Sequence, residues 1–401
     1  MLGFTSIFAA PVAPMALANS AQSPAAEATL PLAAPEPRFV FIDALRGIAA
    51  MAVVIHHALY SPLIDALRRA VPRTILILCE DGFLGVDVFF VISGFVIAHS
   101  LRNIVLHPQS IALFALRRQV RLDPPYWLVL FGSLLLWGMM RALMGSARVD
   151  PLPGPGAVAL NMTYLQKIAR APEILGVAWT LCIEIQLYLF FSVLLWLGQR
   201  GRGPSSSPTR LAILLVFATG AASLALDSNV LHDAWMARYW WLFASGVLCY
   251  WTVRRVLSPW VFGIFIALVL VSRVQHASNL PLYTGTASSV VICTVGKMGR
   301  LTTLLGGPTL QYLGRTSYCL YLVHWPVKIV VLGLGFALTR QNSLAAIAWC
   351  LLYIAVSIAV AHVLHVLVER PCIRWSSSLK RIRTFRHDIS LMAVPTGAAG
   401  S

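Results

Sequence analysis

Charge is what this chain has least of. Asp, Glu, Lys and Arg together make up 11% of its 401 residues, against about 25% in soluble domains. With 58% hydrophobic residues alongside, that scarcity excludes a water-soluble globular enzyme and leaves most of the surface to be solvated by lipid. Acids are scarcer than bases, 15 against 31, for a net charge of +16. No RNA- or DNA-binding motif accompanies the excess, so a nucleic-acid partner is not expected, and basic loops beside anionic lipid account for the charge. The seven cysteines, Cys79, Cys182, Cys249, Cys293, Cys319, Cys350 and Cys372, are odd in number and scattered. They suggest neither a disulfide framework nor a zinc site and read as small core residues. No period of 20–50 residues and no similarity between halves is visible, which weakens the case for a transporter built from repeats. The first 37 residues are rich in Ala and Pro and carry no Lys or Arg, which argues against a secretory signal with a basic n-region. A disordered cytoplasmic tail is expected for 1–37, although MALANSA has the small-residue look of a cleavage site. Cutting there leaves Arg38 onward unchanged.

Long apolar runs are what the chain does have. They fall at about 39–60, 82–101, 124–144, 178–198, 210–226, 234–253, 259–272, 281–296, 315–338 and 343–368, each long enough or nearly so to cross a bilayer. The expected fold is therefore all-α, a polytopic transmembrane helix bundle of about ten spans over 38–375, with a basic and disordered cytoplasmic tail at 376–401. The run 281–296 is short and interrupted by Gly285, and the weakly apolar 154–168 contains Pro and Gly, so either reads equally as a re-entrant segment. An amino terminus in the cytoplasm puts most basic residues inside: Arg38, the Arg102 to Arg121 cluster, Arg200, Arg202, Arg210, Arg254, Arg255, Lys297, Arg300, Arg315 and the Arg370 to Arg386 tail. Arg68, Arg69 and Arg73 in the first outer loop run against this rule and suit an anionic partner or lipid headgroups.

Ionisable side chains inside apolar runs mark the chemistry, because each costs roughly 2.5–3.5 kcal/mol at bilayer depth. The first run, FVFIDALRGIAAMAVVIHHALY, holds Asp43, Arg46, His56 and His57. Eleven helical steps bring Arg46 and His57 to within roughly 20° of one face, about 16 Å apart, while His56 is turned about 80° away. Asp43, three residues before Arg46, is placed to pair with its guanidinium. GVDVFFVISGF sets Asp87 at one end of the second run, either as a helix cap or as a site residue. LRRQVRLDPPYW places Arg118 and Arg121 on one helical face ahead of Pro124 and Pro125, where the third run begins. Paired guanidinium forks suit phosphate, and basic residues at a membrane boundary equally suit topology alone. AWTLCIEIQLYLFF buries Glu184, either in a structural pair or as a group that orients a histidine or holds an acceptor. SYCLYLVHWPVK carries His324 and Pro326, and that histidine either satisfies local backbone or faces the same cavity as His57. His362, His365 and Glu369 have a superficially metal-like spacing, but their place beside the basic tail favours a hydrogen-bonded helix end, and no metal is expected.

These segments together resemble the membrane-bound acyltransferase family 3, which contains bacterial O-antigen and exopolysaccharide O-acetylases. The resemblance runs from Arg38 to Trp375. It rests on DALRGIAAMAVVIHH, GVDVFFVISGF, RRQVR followed by Pro and Tyr, WTLCIEIQLYLF, SYCLYLVHWP and a closing ERP. It implies about ten spans in a bacterial inner membrane with both termini cytoplasmic, and no permanently bound cofactor. Acetyl-CoA or another acyl-CoA is the implied co-substrate, and a glycan or lipid-linked sugar hydroxyl the acceptor. Arg46 and His57 correspond to the family's essential Arg and His, and Arg118 with Arg121 to its arginine pair near the donor. Asp123 departs from the pattern, standing where relatives usually have an aromatic or aliphatic residue. No hydrolase-like domain follows the last run, and single-module members of the family act on exopolysaccharides, nodulation oligosaccharides or antibiotic sugars, whereas members with that domain often modify lipopolysaccharide.

A sugar hydroxyl is a weak nucleophile near pH 7, and histidine is the side chain suited to taking its proton there. His57 is therefore the expected general base. The phosphates of the donor meet Arg118, Arg121 and Arg46, and Glu184, His324 or Asp87 assist the base or bind the acceptor. A relay through acyl-histidine is an alternative within this chemistry. The alternative function is a transporter or flippase using buried Arg, His and Glu as a substrate or proton path. The sequence leaves the acyl chain, the acceptor and the oligomeric state open.

Overall fold

A computed structural model describes residues 38–200, 208–225, 234–272, 280–339 and 342–378. The amino-terminal tail 1–37, Arg202 and the tail from 379 onward lie outside the described residues. Among those described, every regular element is helical and no strand occurs. In chain order they are α1 (Val40–Leu59), α2 (Ile64–Ala70), α3 (Arg73–Glu80), α4 (Gly85–Leu101), α5 (Pro108–Met144), α6 (Pro155–Met162) and α7 (Trp179–Gln199). These are followed by α8 (Arg210–Ala225), α9 (Trp240–Val253), α10 (Pro259–Ser272), α11 (Leu280–Lys297), α12 (Pro308–Thr339) and α13 (Ser343–Leu364). A π-turn at His365–Glu369 prolongs α13.

Each of the ten apolar runs holds a helix, and five of these helices, α1, α5, α7, α12 and α13, are long and apolar enough to cross a membrane. The shortest are instructive. α9 has 14 residues, about 21 Å at 1.5 Å per residue, and every side chain from Trp240 to Thr252 is buried. A helix apolar on all sides belongs inside protein, and α9 lies against α4, α8, α10 and α11. Gly285 does not interrupt α11, which runs unbroken past it and faces Leu242 and Trp241 of α9 there. Of the weak segment 154–168, only Pro155–Met162 is helical.

The boundary expected at Pro124 and Pro125 is absent. α5 starts sixteen residues before Pro124, at Pro108, where His107 and Ser110 form a reciprocal capping box with bonds of 3.2 and 2.9 Å. It then continues through both prolines. Proline removes its own N–H, which leaves Val120 O and Arg121 O without their helical donors, while one residue further on the Tyr318 hydroxyl donates to Leu122 O at 2.7 Å. The RRQVR segment thus belongs to the same long helix as the apolar run that follows it.

Two helix crossings set the frame of the site. α1 packs along α12, and a Cβ at Gly314 falls 2.1 Å from Asp43 O while one at Gly47 falls 2.7 Å from Gly314 N. α4 packs along α9 in the same manner through Gly94 and Gly246, where added Cβ atoms fall 2.0 Å from Phe243 O and Val91 O. Small residues at such crossings let backbones touch where side chains cannot. One large apolar core is centred on α4, α7, α8, α9, α10 and α11, and a second on α1, α5, α12 and α13. The candidate site lies along the seam between them.

Candidate active site

α1 runs the length of that seam. Near its start Arg46 lines an open-mouthed cavity of about 120 Å³, together with Arg118 and Arg121 of α5, Ser93 of α4 and Glu184 of α7. Helical spacing puts the two α5 arginines side by side, and a different carboxylate holds each. Arg118 pairs with Glu184, which also accepts from Ser93 Oγ at 2.9 Å, and its guanidinium lies 5.2 Å from the Tyr188 ring centroid. Arg121 lies 3.7 Å from Glu369, which is 1% exposed and bonded to His365 Nδ1 at 2.7 Å and to Cys319 Sγ at 3.1 Å. The π-turn adds a residue to the helical turn just where Glu369 meets these groups, and such turns gather at functional sites. The Nε atoms of Arg118 and Arg121 are buried with no protein partner. Guanidinium groups with donors to spare beside a cavity suit an anionic oxygen acceptor.

The far end of α1 is built differently. His57 Nδ1 lies 2.8 Å from Val53 O, and His324 Nδ1 lies 3.2 Å from Leu320 O. A carbonyl only accepts, so each neutral ring carries its proton on Nδ1 and keeps the Nε2 lone pair free. The two rings are 5.0 Å apart, with Trp325 at 5.5 Å from His57. His324 is fully buried, and its Nε2 has no partner. His56 is turned away as its position on the helix requires: its Nδ1 bonds Glu80 O at 2.6 Å, and its ring packs on Tyr60 and Phe83. Lys328 stands one turn beyond His324, 3.9 Å over the Trp325 ring.

The structure thus brings together Arg46, Arg118, Arg121 and Glu184 at one end, and His57 with His324 at the other. Glu184 lies with the arginines, and the groups within ring contact of His57 are His56, His324 and Trp325. Asp43 binds Arg38 at 2.5 Å instead of Arg46, because the chain entering α1 brings Arg38 back over the first turn. Asp87 is buried in the first turn of α4. Asp123 accepts from Tyr164 at 2.9 Å, and Tyr164 stacks on Tyr126, so this departure ties the segment after α6 to α5. His362 packs on Tyr312, apart from His365 and Glu369. Sequence reasoning did not assign Glu369 to Arg121, nor Ser93, Ser317, Tyr318 and Tyr321 to the cavity. For the α12 residues a signal existed, since Ser317, Tyr321, His324 and Lys328 follow one another at helical spacing on a single face.

This arrangement can hold an anion at one end and accept a proton at the other. A family model described as an acyltransferase domain matches residues 39–366. The chain belongs to this acyltransferase family. Among its relatives, a Komagataeibacter xylinus protein named as a membrane-bound transacylase, BcsY, is 26% identical, the match covering 84% of this chain and 83% of the relative. Acyltransferase MdmB of Streptomyces mycarofaciens is 26% identical over 84% of this chain and 93% of its own length. O-acetyltransferase OatA of Staphylococcus aureus is 24% identical over 74% of this chain, which spans about half, 51%, of that longer relative. No solved structure matches the chain. This family member is a membrane protein and an acyltransferase for groups other than aminoacyl groups.

Proposed function

We propose that this acyltransferase moves an acetyl group from acetyl-CoA, or a related short acyl-CoA, to a hydroxyl of a glycan or lipid-linked sugar across a bacterial inner membrane. The observation that carries this reading is the pairing of an arginine-lined cavity that has two unmet guanidinium donors with a histidine pair further along the same helix. Arg46, Arg118 and Arg121 take the donor's phosphates, for which guanidinium forks suit the geometry and charge. Glu184 and Glu369 hold the α5 pair in place. The pantetheine arm extends along α1 toward His57, whose free Nε2 takes the proton of the acceptor hydroxyl as its oxygen attacks the thioester carbonyl. The carbon–sulfur bond breaks, the CoA thiolate leaves and is protonated by solvent, and His57 returns its proton to water. His324 supports His57 or the acceptor, and Asp87 remains a candidate on the acceptor side.

In this reading α4, α8, α9, α10 and α11 join the five long helices to make ten spans. The amino terminus and the basic tail are cytoplasmic, which puts the arginine cavity on the side where acyl-CoA is made. The reading is tested with purified protein in lipid nanodiscs, without any gradient, by following label from acetyl-CoA onto a glycan extract. The expected result is transfer that replacing His57 by Ala lowers by about 10²–10⁴-fold. Full activity of that variant contradicts the assignment of the base, and absence of any transfer by the native protein favours the transporter alternative.

A further inference from the structure

The arginine cavity stops short of His57. Its far wall is formed by Val86, Phe89, Thr180 and Tyr321. Just beyond, Val53, Val177 and Tyr321 make a small apolar cluster separate from both large cores, with Val86, Phe89 and Trp325 packed on it. The next ring past Tyr321 is His324, at a centroid distance of 5.7 Å, and past that is His57. A single layer of side chains therefore separates the anion-binding end from the histidine pair. Tyr321 is its fixed point: its hydroxyl donates to Val177 O at 3.1 Å and lies 2.9 Å from Thr180 Oγ1, while Phe89 meets its ring edge-on at 5.9 Å. Val53 and Val177 are 1% and 2% exposed, so the layer is closed to solvent at these two residues.

We propose that this collar of Val53, Phe89, Val177 and Tyr321 is an acyl-selecting gate, an inference that rests on the acyl-CoA reading above. Tyr321 swings off Val177 and Thr180 to admit the acyl end of the donor. The tight apolar ring around it admits two carbons and rejects longer chains. Closed, it keeps water from crossing between the two faces; open, it lets the thioester meet His57. Each added methylene has to displace packed side chains, a change that closely packed interiors resist, and one methylene alone discriminates about 10–200-fold in an apolar pocket.

The test compares acetyl-, butanoyl- and octanoyl-CoA as donors for the full-length protein and for Phe89→Ala and Val53→Ala. In the native protein the rate falls at least about tenfold from acetyl to butanoyl and again to octanoyl. Either substitution reduces that preference about tenfold whatever it does to the absolute acetyl rate, and an unchanged midpoint of thermal unfolding in detergent reports an intact fold. An unchanged preference in both variants overturns the proposal. A second measurement needs no CoA chemistry: Val96→Cys, on the cavity wall, is exposed to a membrane-impermeant maleimide in sealed vesicles and its peptide is read by mass spectrometry. Labelling is expected from one membrane face only, and from both faces once Tyr321→Ala is added. Labelling from both faces without that change, or from one face with it, overturns the gate. If the labelling holds while the native protein consumes no CoA thioester, the donor reading falls and acyl selection falls with it, whereas the barrier itself is supported.

Discussion

The two ends of α1 solve opposite problems. At the arginine end three cations sit around a cavity, and the two on α5 are each held by a carboxylate, Glu184 on α7 and Glu369 at the π-turn. At the histidine end no carboxylate among the described residues touches the pair, whose rings are fixed by backbone carbonyls and packed among aromatic side chains. An end meant to hold a charged ligand needs cations pinned with donors to spare. An end meant to take a proton needs a neutral ring with a free lone pair. The same helix serves both because its Arg and His lie roughly three turns apart on one face.

The sharpest way to break this comparison is to remove the base. In His57→Ala, acetyl transfer falls by about 10³-fold while acetyl-CoA affinity, measured by equilibrium binding, stays within a few-fold, since a general base contributes about 10²–10⁴. The opposite end is broken by Arg118→Ala combined with Arg121→Ala. There KM for acetyl-CoA rises about 100-fold and kcat changes less, a pattern of lost ground-state binding; unchanged KM contradicts the phosphate role. The two carboxylates sharpen the contrast. Glu369→Gln raises KM about tenfold in the native background and adds nothing in an Arg121→Ala background, because residues that act through one another are not additive. The frame beneath both ends gives the smallest kinetic effect. Gly314→Ala places a Cβ 2.1 Å from Asp43 O, which destabilises the α1–α12 crossing by about 1–3 kcal/mol, read as a lower midpoint of thermal unfolding in detergent.

Much of this was legible from local pattern. The apolar runs located the helices, and the eleven-residue step from Arg46 to His57 placed both along one seam. What failed depended on neighbours. Pro124 and Pro125 read as a boundary, yet α5 continues through them with α12 packed alongside. The run 281–296 looked short and broken at Gly285, yet α11 passes it unbroken against α9. Asp43 looked like the partner of Arg46 by spacing alone, and Arg38 from outside the helix took it. Glu184 is 66 residues from Arg118, and no periodicity announces a pairing so distant. Glu369 needed the π-turn, which shifts its face away from the one that α-helical spacing assigns.

The central claim is that the arginine cavity and the histidine pair serve one reaction from opposite faces of the membrane. Its most direct test uses sealed vesicles holding the protein in a single orientation, with labelled acetyl-CoA offered to one face and a glycan extract to the other. Label appears on the glycan only when acetyl-CoA is on the face where the arginine cavity opens and the acceptor is opposite. Equal transfer with donor and acceptor exchanged, or with both confined to one face, contradicts it.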